Sequence, residues 1–90
     1  MKLSGEFVVR QVMDQTVAVP VGQTALRFNG MILLNDVSKR IWDCLEQDTD
    51  LETIVTAVTD AFEVSPEEAR ADILEFCEKL RQLQLLEDRL

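Results

Sequence analysis

The sequence contains no histidine and no tyrosine, and only 6% of its 90 residues are aromatic. Without histidine, triads with an imidazole base and the common Cys/His zinc sites are unavailable. The two cysteines, Cys44 and Cys77, lie far apart in the chain and form no CxxC motif. Most common catalytic machinery is therefore absent, and the sequence predicts neither a cofactor nor a metal site.

Basic residues and long apolar runs are also scarce. Nine Lys and Arg stand against seventeen Asp and Glu, so the formal net charge is −8. Such a charge repels nucleic acids and anionic membranes and suits a partner with basic groups. No apolar run approaches the ~18 residues that span a bilayer, and Met1 to Glu6 lack a signal-peptide pattern. The sequence predicts a cytoplasmic protein.

The chain is short, and it has only three Gly and two Pro. Single domains commonly run to ~100 to 150 residues, so we expect one domain over residues 1–90. A domain of this size buries only roughly 60 to 65% of its unfolded surface, which leaves little core from which a catalytic cleft is cut. We therefore expect a protein that is not an enzyme.

The first third of the chain is typical of β-structure. Phe7 to Val12 and Thr16 to Val21 are rich in β-branched residues and predict a hairpin closed at Met13-Asp14-Gln15. Asn29-Gly30 favours a type I′ turn, and the apolar run that follows it, Met31 to Leu34, predicts a third strand.

After Leu34 the apolar period changes from two to 3.6 residues, which predicts three helices. The first covers about 37–47, and the second follows an Asp50 cap with apolar positions up to Phe62. The third starts at the capping box Ser65-Pro66-Glu67-Glu68 and runs to about Gln84. Leu85-Leu86 then pack back onto the core. The fold class is α+β and winged-helix-like, a three-stranded antiparallel sheet followed by three helices.

Several short motifs occur in a defined order: Leu34-Asn35-Asp36, Ile41-Trp42, the stretch Asp50 to Val55, and Asp72-Ile73 with Phe76, Leu80 and Leu85-Leu86. With these motifs the sequence resembles the PqqD family, named after protein D of pyrroloquinoline quinone biosynthesis, over nearly its whole length. The resemblance implies a non-catalytic module that holds the leader segment of a ribosomally made precursor peptide. A separate maturation enzyme, frequently a radical SAM enzyme, then modifies the core segment.

Two departures qualify the resemblance. The stretch from Gly22 to Gly30 is longer than the short turn of the quinone-pathway members, which argues for a stand-alone member that serves another peptide. Gln84 stands where many members have a helix-ending Gly.

The resemblance implies that the leader binds as an extra strand along Met31, Ile32, Leu33 and Leu34, with the last helix as the other wall. An unpaired strand edge offers a hydrogen-bond ladder to any extended peptide, while pockets for alternate side chains give selectivity. The strand lacks apolar–polar alternation, so we expect both of its faces to be covered, one of them by peptide. The alternative is that both faces are buried within the fold.

On the last helix, Arg70, Leu74, Cys77 and Arg81 share a flank at i, i+4, i+7 and i+11. We predict that this flank lines the groove and that the two arginines pair with acidic leader residues. The alternative is a partly buried Leu74 beside solvated arginines. Cys44, Cys77 and Trp42 are interpreted mainly as core residues.

Two other functions fit the size or the elements of the chain. A winged-helix DNA-binding protein has the right elements, but residues 65–83 hold five acids and three bases, a net charge of −2. A carrier protein needs an Asp-Ser site for a phosphopantetheine arm, and Ser4, Ser38 and Ser65 follow Leu, Val and Val. The open strand also predicts a homodimer in concentrated solution, and the negative charge predicts a basic patch on the partner enzyme.

Overall fold

The computed structural model describes residues 1–87. Its five strands are β1 (Lys2–Leu3), β2 (Phe7–Val12), β3 (Gln15–Pro20), β4 (Ile32–Leu34) and β5 (Leu86–Glu87). Its four helices are α1 (Gln23–Arg27), α2 (Asp36–Leu45), α3 (Leu51–Ala61) and α4 (Pro66–Gln82). The predicted α+β class is confirmed: β2, β3 and β4 form an antiparallel three-stranded sheet, and α2, α3 and α4 follow it. The short α1 and the β1–β5 pair were not predicted from the sequence.

The sheet has the order β2-β3-β4, with β3 in the middle. Phe7 pairs with Pro20 and Val12 with Gln15, so the hairpin loop is Met13-Asp14 and β3 begins one residue earlier than predicted. Met13 has a φ of 58°, the left-handed conformation that the first residue of a type II′ turn requires. On the other side of β3, Thr16 pairs with Leu34 and Ala18 with Ile32.

The connection from β3 to β4 differs from the prediction. No positive φ occurs at Asn29 or Gly30, so the predicted type I′ turn is wrong. The chain instead leaves β3 through Gly22 and forms α1 before it returns to the sheet. Thr24 of α1 is buried, and its Oγ1 accepts a hydrogen bond of 2.7 Å from the Glu6 N–H. This bond ties α1 to the start of β2.

Each of the three predicted helices begins at a side-chain cap. Asn35 Oδ1 accepts from the Ser38 N–H and Ser38 Oγ from the Asn35 N–H, both at 2.8 Å, which closes a capping box at α2. Asp50 Oδ1 accepts from the Thr53 N–H at 2.8 Å, and Ser65 Oγ from the Glu68 N–H at 3.1 Å. These caps fix where α2, α3 and α4 start relative to the sheet.

The core lies between the inner face of the sheet and the three long helices. Trp42 is buried, as predicted, and meets the Phe7 ring edge-on at 5.1 Å between centroids. Ile73, Leu80 and Leu85 close the core from the C-terminal side. Within residues 1–87, every buried side-chain nitrogen or oxygen has a hydrogen-bond partner, and no helix has the length and apolarity to cross a bilayer.

Helix α4 ends in a Schellman motif that has no glycine. The Leu85 N–H donates to the Leu80 carbonyl at 2.8 Å, and the Gln84 N–H donates to the Arg81 carbonyl at 3.0 Å. Gln84 therefore sits in the left-handed region, at a φ of 61°. A residue with a Cβ is strained there by roughly 1–2 kcal/mol.

We expect Gln84→Gly to stabilise the protein. Relief of the left-handed strain outweighs the ~0.5–1 kcal/mol that glycine loses in chain entropy, so the free energy of unfolding rises by about 0.5–1 kcal/mol. Urea denaturation measures the difference. The control is Ala71→Gly in the exposed middle of α4, which lowers stability by ~1 kcal/mol. A loss of stability in Gln84→Gly would contradict this account of the helix end.

The Asp50 cap makes part of the stability depend on acid pH. The Thr53 N–H holds the pKa of Asp50 below its ordinary value of 3.8. The stabilisation from the ionised cap is therefore complete above that value and is lost as the pH falls through the lower folded-state pKa.

Asp50→Asn is predicted to flatten this acid dependence, because asparagine caps a helix about as well but does not titrate. Thermal unfolding at neutral pH should give similar midpoints for the two proteins. Between about pH 4 and pH 2, the midpoint temperature of unfolding should fall further for the wild type than for the variant. An equal fall in midpoint temperature for both proteins would show that the Asp50 cap does not contribute to the acid dependence of stability.

Candidate functional site

Strand β4 lies at the edge of the sheet. It pairs with β3 on one side, and no strand among residues 1–87 pairs with the other side. The free ladder ends at Leu34, because the next residue, Asn35, already uses its backbone: its N–H donates to Ser38 Oγ, and its carbonyl accepts from the Lys39 N–H. The backbone groups of Met31 to Leu34 are thus the part of this edge open to another chain.

The four predicted strand residues alternate between the two faces. Ile32 and Leu34 point inward and contribute to the core, whereas Met31 and Leu33 are 58% and 61% exposed. The expectation that both faces are covered therefore holds only for the inner face within this chain. The outer face is left apolar and open to solvent.

The opposite edge of the sheet, along β2, is also unpaired among the described residues. From Val8 to Val12 all residues except Val9 are exposed. An extended peptide there would lie on the open surface of the hairpin. A cavity of about 360 Å³, lined in part by Phe7, also adjoins the start of β2. The edge along β4 differs because its exposed side chains, Met31 and Leu33, are large and apolar, and because the cleft beside its end is walled by α4.

This cleft, which we call the α2–α4 cleft, lies between the start of α2 and one flank of α4. Its volume is about 240 Å³. Ile41 is buried at its floor, and Val37 and Phe76 are partly buried beside it. The lining residues are Asn35, Val37, Ser38, Ile41, Asp72, Glu75, Phe76 and Lys79. Because Asn35 lines the cleft and directly follows β4, the cleft adjoins the end of the strand.

A second cavity lies at the same end of β4, toward the hairpin loop. Its volume is about 430 Å³, and it is lined by Asp14, Gln15, Thr16, Leu33, Leu34, Asn35 and Asp36. Asn35 lines both cavities. The two linings together carry the carboxylates of Asp14, Asp36, Asp72 and Glu75 but only one cation, Lys79. This part of the surface is therefore acidic around an apolar floor.

The four helix residues predicted to bind peptide lie elsewhere on α4. Arg70 Nη2 donates to both carboxylate oxygens of Glu52 on α3, at 3.0 and 3.2 Å, and Arg81 Nη1 donates to Glu78 Oε2 at 2.6 Å. Cys77 is 1% exposed, with its Sγ 4.0 Å from Met1 Sδ. Leu74 is 50% exposed. None of the four lines the α2–α4 cleft.

The helical period explains the difference. Ala69, Ile73, Cys77 and Leu80 form the buried stripe of α4, so Arg70 and Leu74 fall on one side of it. Asp72, Glu75, Phe76 and Lys79 fall on the other side, the side of the cleft. Phe76 and Asp72 were named above only as part of the family motif, and none of these four residues was predicted to bind peptide. Their i, i+3, i+4, i+7 spacing shows in the sequence that they share one side of the helix. Which side of α4 lies next to the sheet depends on the tertiary fold.

The two thiols of the chain lie outside both cavities at this site. Both cysteines are free thiols. Burial raises the pKa of Cys44, partly offset by Arg40, so this thiol is protonated at neutral pH and is a poor nucleophile. Among residues 1–87, no group of three potential ligands is placed to hold a metal ion. An open strand edge beside an apolar cleft is an arrangement that binds extended peptides.

The comparisons with known proteins agree with this geometry. The family model described as coenzyme PQQ synthesis protein D (PqqD) matches residues 8–86. The chain belongs to the PqqD family, as the resemblance implied. A search of curated proteins finds no match. Among solved structures, TbiB1 in complex with the TbiA(β) leader peptide is similar to this chain, with a TM-score of 0.74 and 27% identity. The match covers 100% of this chain and 99% of TbiB1.

The burial of Cys77 has a measurable consequence. In the folded protein, iodoacetamide should modify Cys44 slowly and leave Cys77 intact, and both should react once urea unfolds the chain. Peptide mass spectrometry distinguishes the two thiols, and Cys44→Ser serves as the control with no accessible cysteine. Rapid labelling of Cys77 in the native protein would contradict its placement on the buried face of α4.

Proposed function

We propose that this protein binds the leader segment of a ribosomally made precursor peptide by β-strand addition along β4. It then presents the precursor to a separate maturation enzyme. The observation that carries the proposal is the unpaired edge of Met31 to Leu34, which ends beside the α2–α4 cleft. Membership of the PqqD family and the similarity to TbiB1, solved with a leader peptide, support it.

The backbone ladder alone is too weak to hold a leader. Only every second residue of an edge strand directs its N–H and carbonyl outward, so Met31 to Leu34 offer about four hydrogen bonds. At about 1 kcal/mol each, they contribute about 4 kcal/mol, whereas association costs an estimated 4–15 kcal/mol. Side chains of the leader must therefore bury apolar surface, and the cleft beside Val37 and Phe76 is where they do so.

The proposed groove keeps the predicted strand residues and replaces the helix residues. Its first wall is Met31, Ile32, Leu33 and Leu34. Its second wall is the α4 flank of Asp72, Glu75, Phe76 and Lys79. The positions of Arg70, Leu74, Cys77 and Arg81 do not support a contact with a leader in this groove. We assign Arg70 to its ion pair with α3, Cys77 to the core, and Leu74 and Arg81 to the helix surface.

The protein acts as a non-catalytic partner within this proposal. Within this proposal a separate enzyme performs the chemistry, and the family resemblance implies a radical SAM maturase. We place the protein in the cytoplasm, where free cysteines such as Cys44 and Cys77 remain reduced. The acidic surface favours a basic docking patch on the enzyme, so docking should weaken as salt rises.

The alternatives receive no support from the fold. The helix that would enter a DNA groove is α4, and residues 65–83 carry a net charge of −2. None of the three serines stands in the context that a carrier protein needs. A homodimer through the edge of β4 stays a prediction, and leader peptide should compete with it, because both use the same backbone groups.

The direct test is an NMR titration of the ¹⁵N-labelled protein with the leader of the precursor encoded in the same gene cluster. We expect the amides of Met31 to Leu34 and of the Asp72–Lys79 flank to shift. No shift at high micromolar leader would contradict the proposal.

Two alanine variants separate the two flanks of α4. Phe76→Ala removes the aromatic side chain of the cleft and should weaken leader binding by tenfold or more, since burying a Phe contributes ~1.5–3 kcal/mol. Leu74→Ala removes an exposed side chain from the other flank and should change affinity less than twofold. Isothermal titration calorimetry measures both. The opposite ranking would assign the groove to the Arg70–Leu74 side.

A further inference from the structure

The α4 flank that lines the cleft carries an ordered set of side chains. Asp72, Phe76 and Lys79 follow one another at i, i+4 and i+7, and Glu75 adjoins them. The flank therefore presents two carboxylates, then an aromatic ring, then an ammonium group. Asp72, Glu75 and Lys79 are exposed, and Phe76 is partly buried.

The opposite wall of the cleft carries no charge. It consists of Asn35, Val37, Ser38 and Ile41. Lys39 on α2 does not line the cleft, and its Nζ is paired with Asp43 Oδ1 at 2.6 Å. The charge that a bound peptide meets in this cleft is therefore set by α4.

We propose that Asp72 and Glu75 select a leader with a lysine or arginine two positions from an apolar anchor residue. The anchor occupies the cleft between Phe76 and Val37, and the basic side chain lies against the two carboxylates. An acidic or neutral residue two positions beyond the anchor faces Lys79. This inference rests on the proposed function and specifies the chemistry of the leader.

The spacing on the helix matches the spacing of an extended peptide. Asp72 and Phe76 are four residues apart, which is about 6 Å along the helix axis. Every second residue of a strand faces the same side, at steps of about 6.6 Å. A strand that lies along this flank therefore places side chains i and i+2 opposite Asp72 and Phe76. Lys79 lies only about 4.5 Å beyond Phe76 along the axis, and its long flexible side chain reaches the i+4 position.

The α4 side chains that line the cleft are mainly acidic, whereas the sequence predicted that basic side chains of α4 face the leader. Arg70 and Arg81 were predicted to bind acidic leader residues, but they are paired with Glu52 and Glu78. The groups that line the cleft next to β4 are mainly carboxylates. A basic leader is also attracted by the net charge of −8, at a rate that falls as salt rises.

A library of random dodecapeptides displayed on phage tests this inference without knowledge of the natural precursor. Panning on the wild-type protein should enrich a basic residue two positions from an apolar residue. Panning on the double variant Asp72→Lys/Glu75→Lys should enrich an acidic residue at the same position. Peptides selected on the wild type should bind the variant about tenfold more weakly, and 0.5 M NaCl should remove most of that difference.

The matched control is Asp60→Lys/Glu63→Lys. It makes the same change in net charge on exposed residues that line neither cavity. Its selected peptides should keep the basic residue. A shift to acidic residues on the control as well would show that overall charge, and not the pair on α4, selects the peptide, and would overturn the inference.

The outcomes also separate this inference from the proposed function. Selected peptides that shift the amides of Met31 to Leu34 but lack the basic residue would overturn the inference and leave strand addition intact. Failure to select any peptide, or selection of peptides that bind without perturbing β4, would count against both. Circular dichroism of both double variants verifies that the charge changes leave the fold unchanged.

Discussion

The proposed peptide binding depends on the unpaired backbone N–H and carbonyl groups along the outer edge of β4. A backbone N–H or carbonyl at a sheet edge is satisfied by water or by another chain, and an exposed apolar edge favours the other chain. Proteins commonly blunt such an edge with charges or proline. Here the edge strand is Ile32–Leu34, preceded by Met31, and it carries neither. The edge is short, but its backbone groups and its apolar outer face are left available to another chain.

The rest of the fold holds this short edge in place and gives it a second wall. Asn35 is both the last residue before α2 and the cap of that helix, so α2 starts where the ladder stops. Trp42 packs the following turns of α2 against Phe7 of the sheet. Helix α4 then closes the cleft with Phe76. Because about four backbone hydrogen bonds cannot hold a peptide alone, the side chains of that second wall must supply most of the affinity and the selectivity.

Much of the fold could be predicted from the sequence, because its signals are local. The caps at Asp50 and Ser65 act within one helical turn, and the apolar periods of the hairpin and helices are short-range patterns. The prediction failed where the conformation that a short segment prefers in isolation differs from the one that the tertiary fold requires. Asn29-Gly30 favours a tight turn in isolation, but the chain needs α1 to cross from β3 to β4. Gln84 adopts a left-handed φ because the Schellman motif and the buried Leu85 outweigh its strain.

The site was predictable only in part, for the same reason. The strand edge follows from the order of the elements, and the predicted third strand does form an unpaired edge of the sheet among the described residues. Leader binding along Met31 to Leu34 stays a prediction. Which flank of α4 faces that edge depends on how the helix is rotated about its axis, and Arg70 and Phe76 are equally compatible with the sequence period. The ion pair of Arg70 with Glu52 and the contact of Cys77 with Met1 reveal the rotation, and both join residues distant in sequence.

Amide hydrogen exchange at single-residue resolution, with and without the leader, tests the claim of strand addition most directly. In the free protein, amides of Met31 to Leu34 that face β3 should exchange slowly, and those that face the open edge should exchange quickly. Bound leader should slow the second set, so that protection becomes continuous along β4. Unchanged fast exchange at the edge, or new protection along β2 instead, would contradict the account.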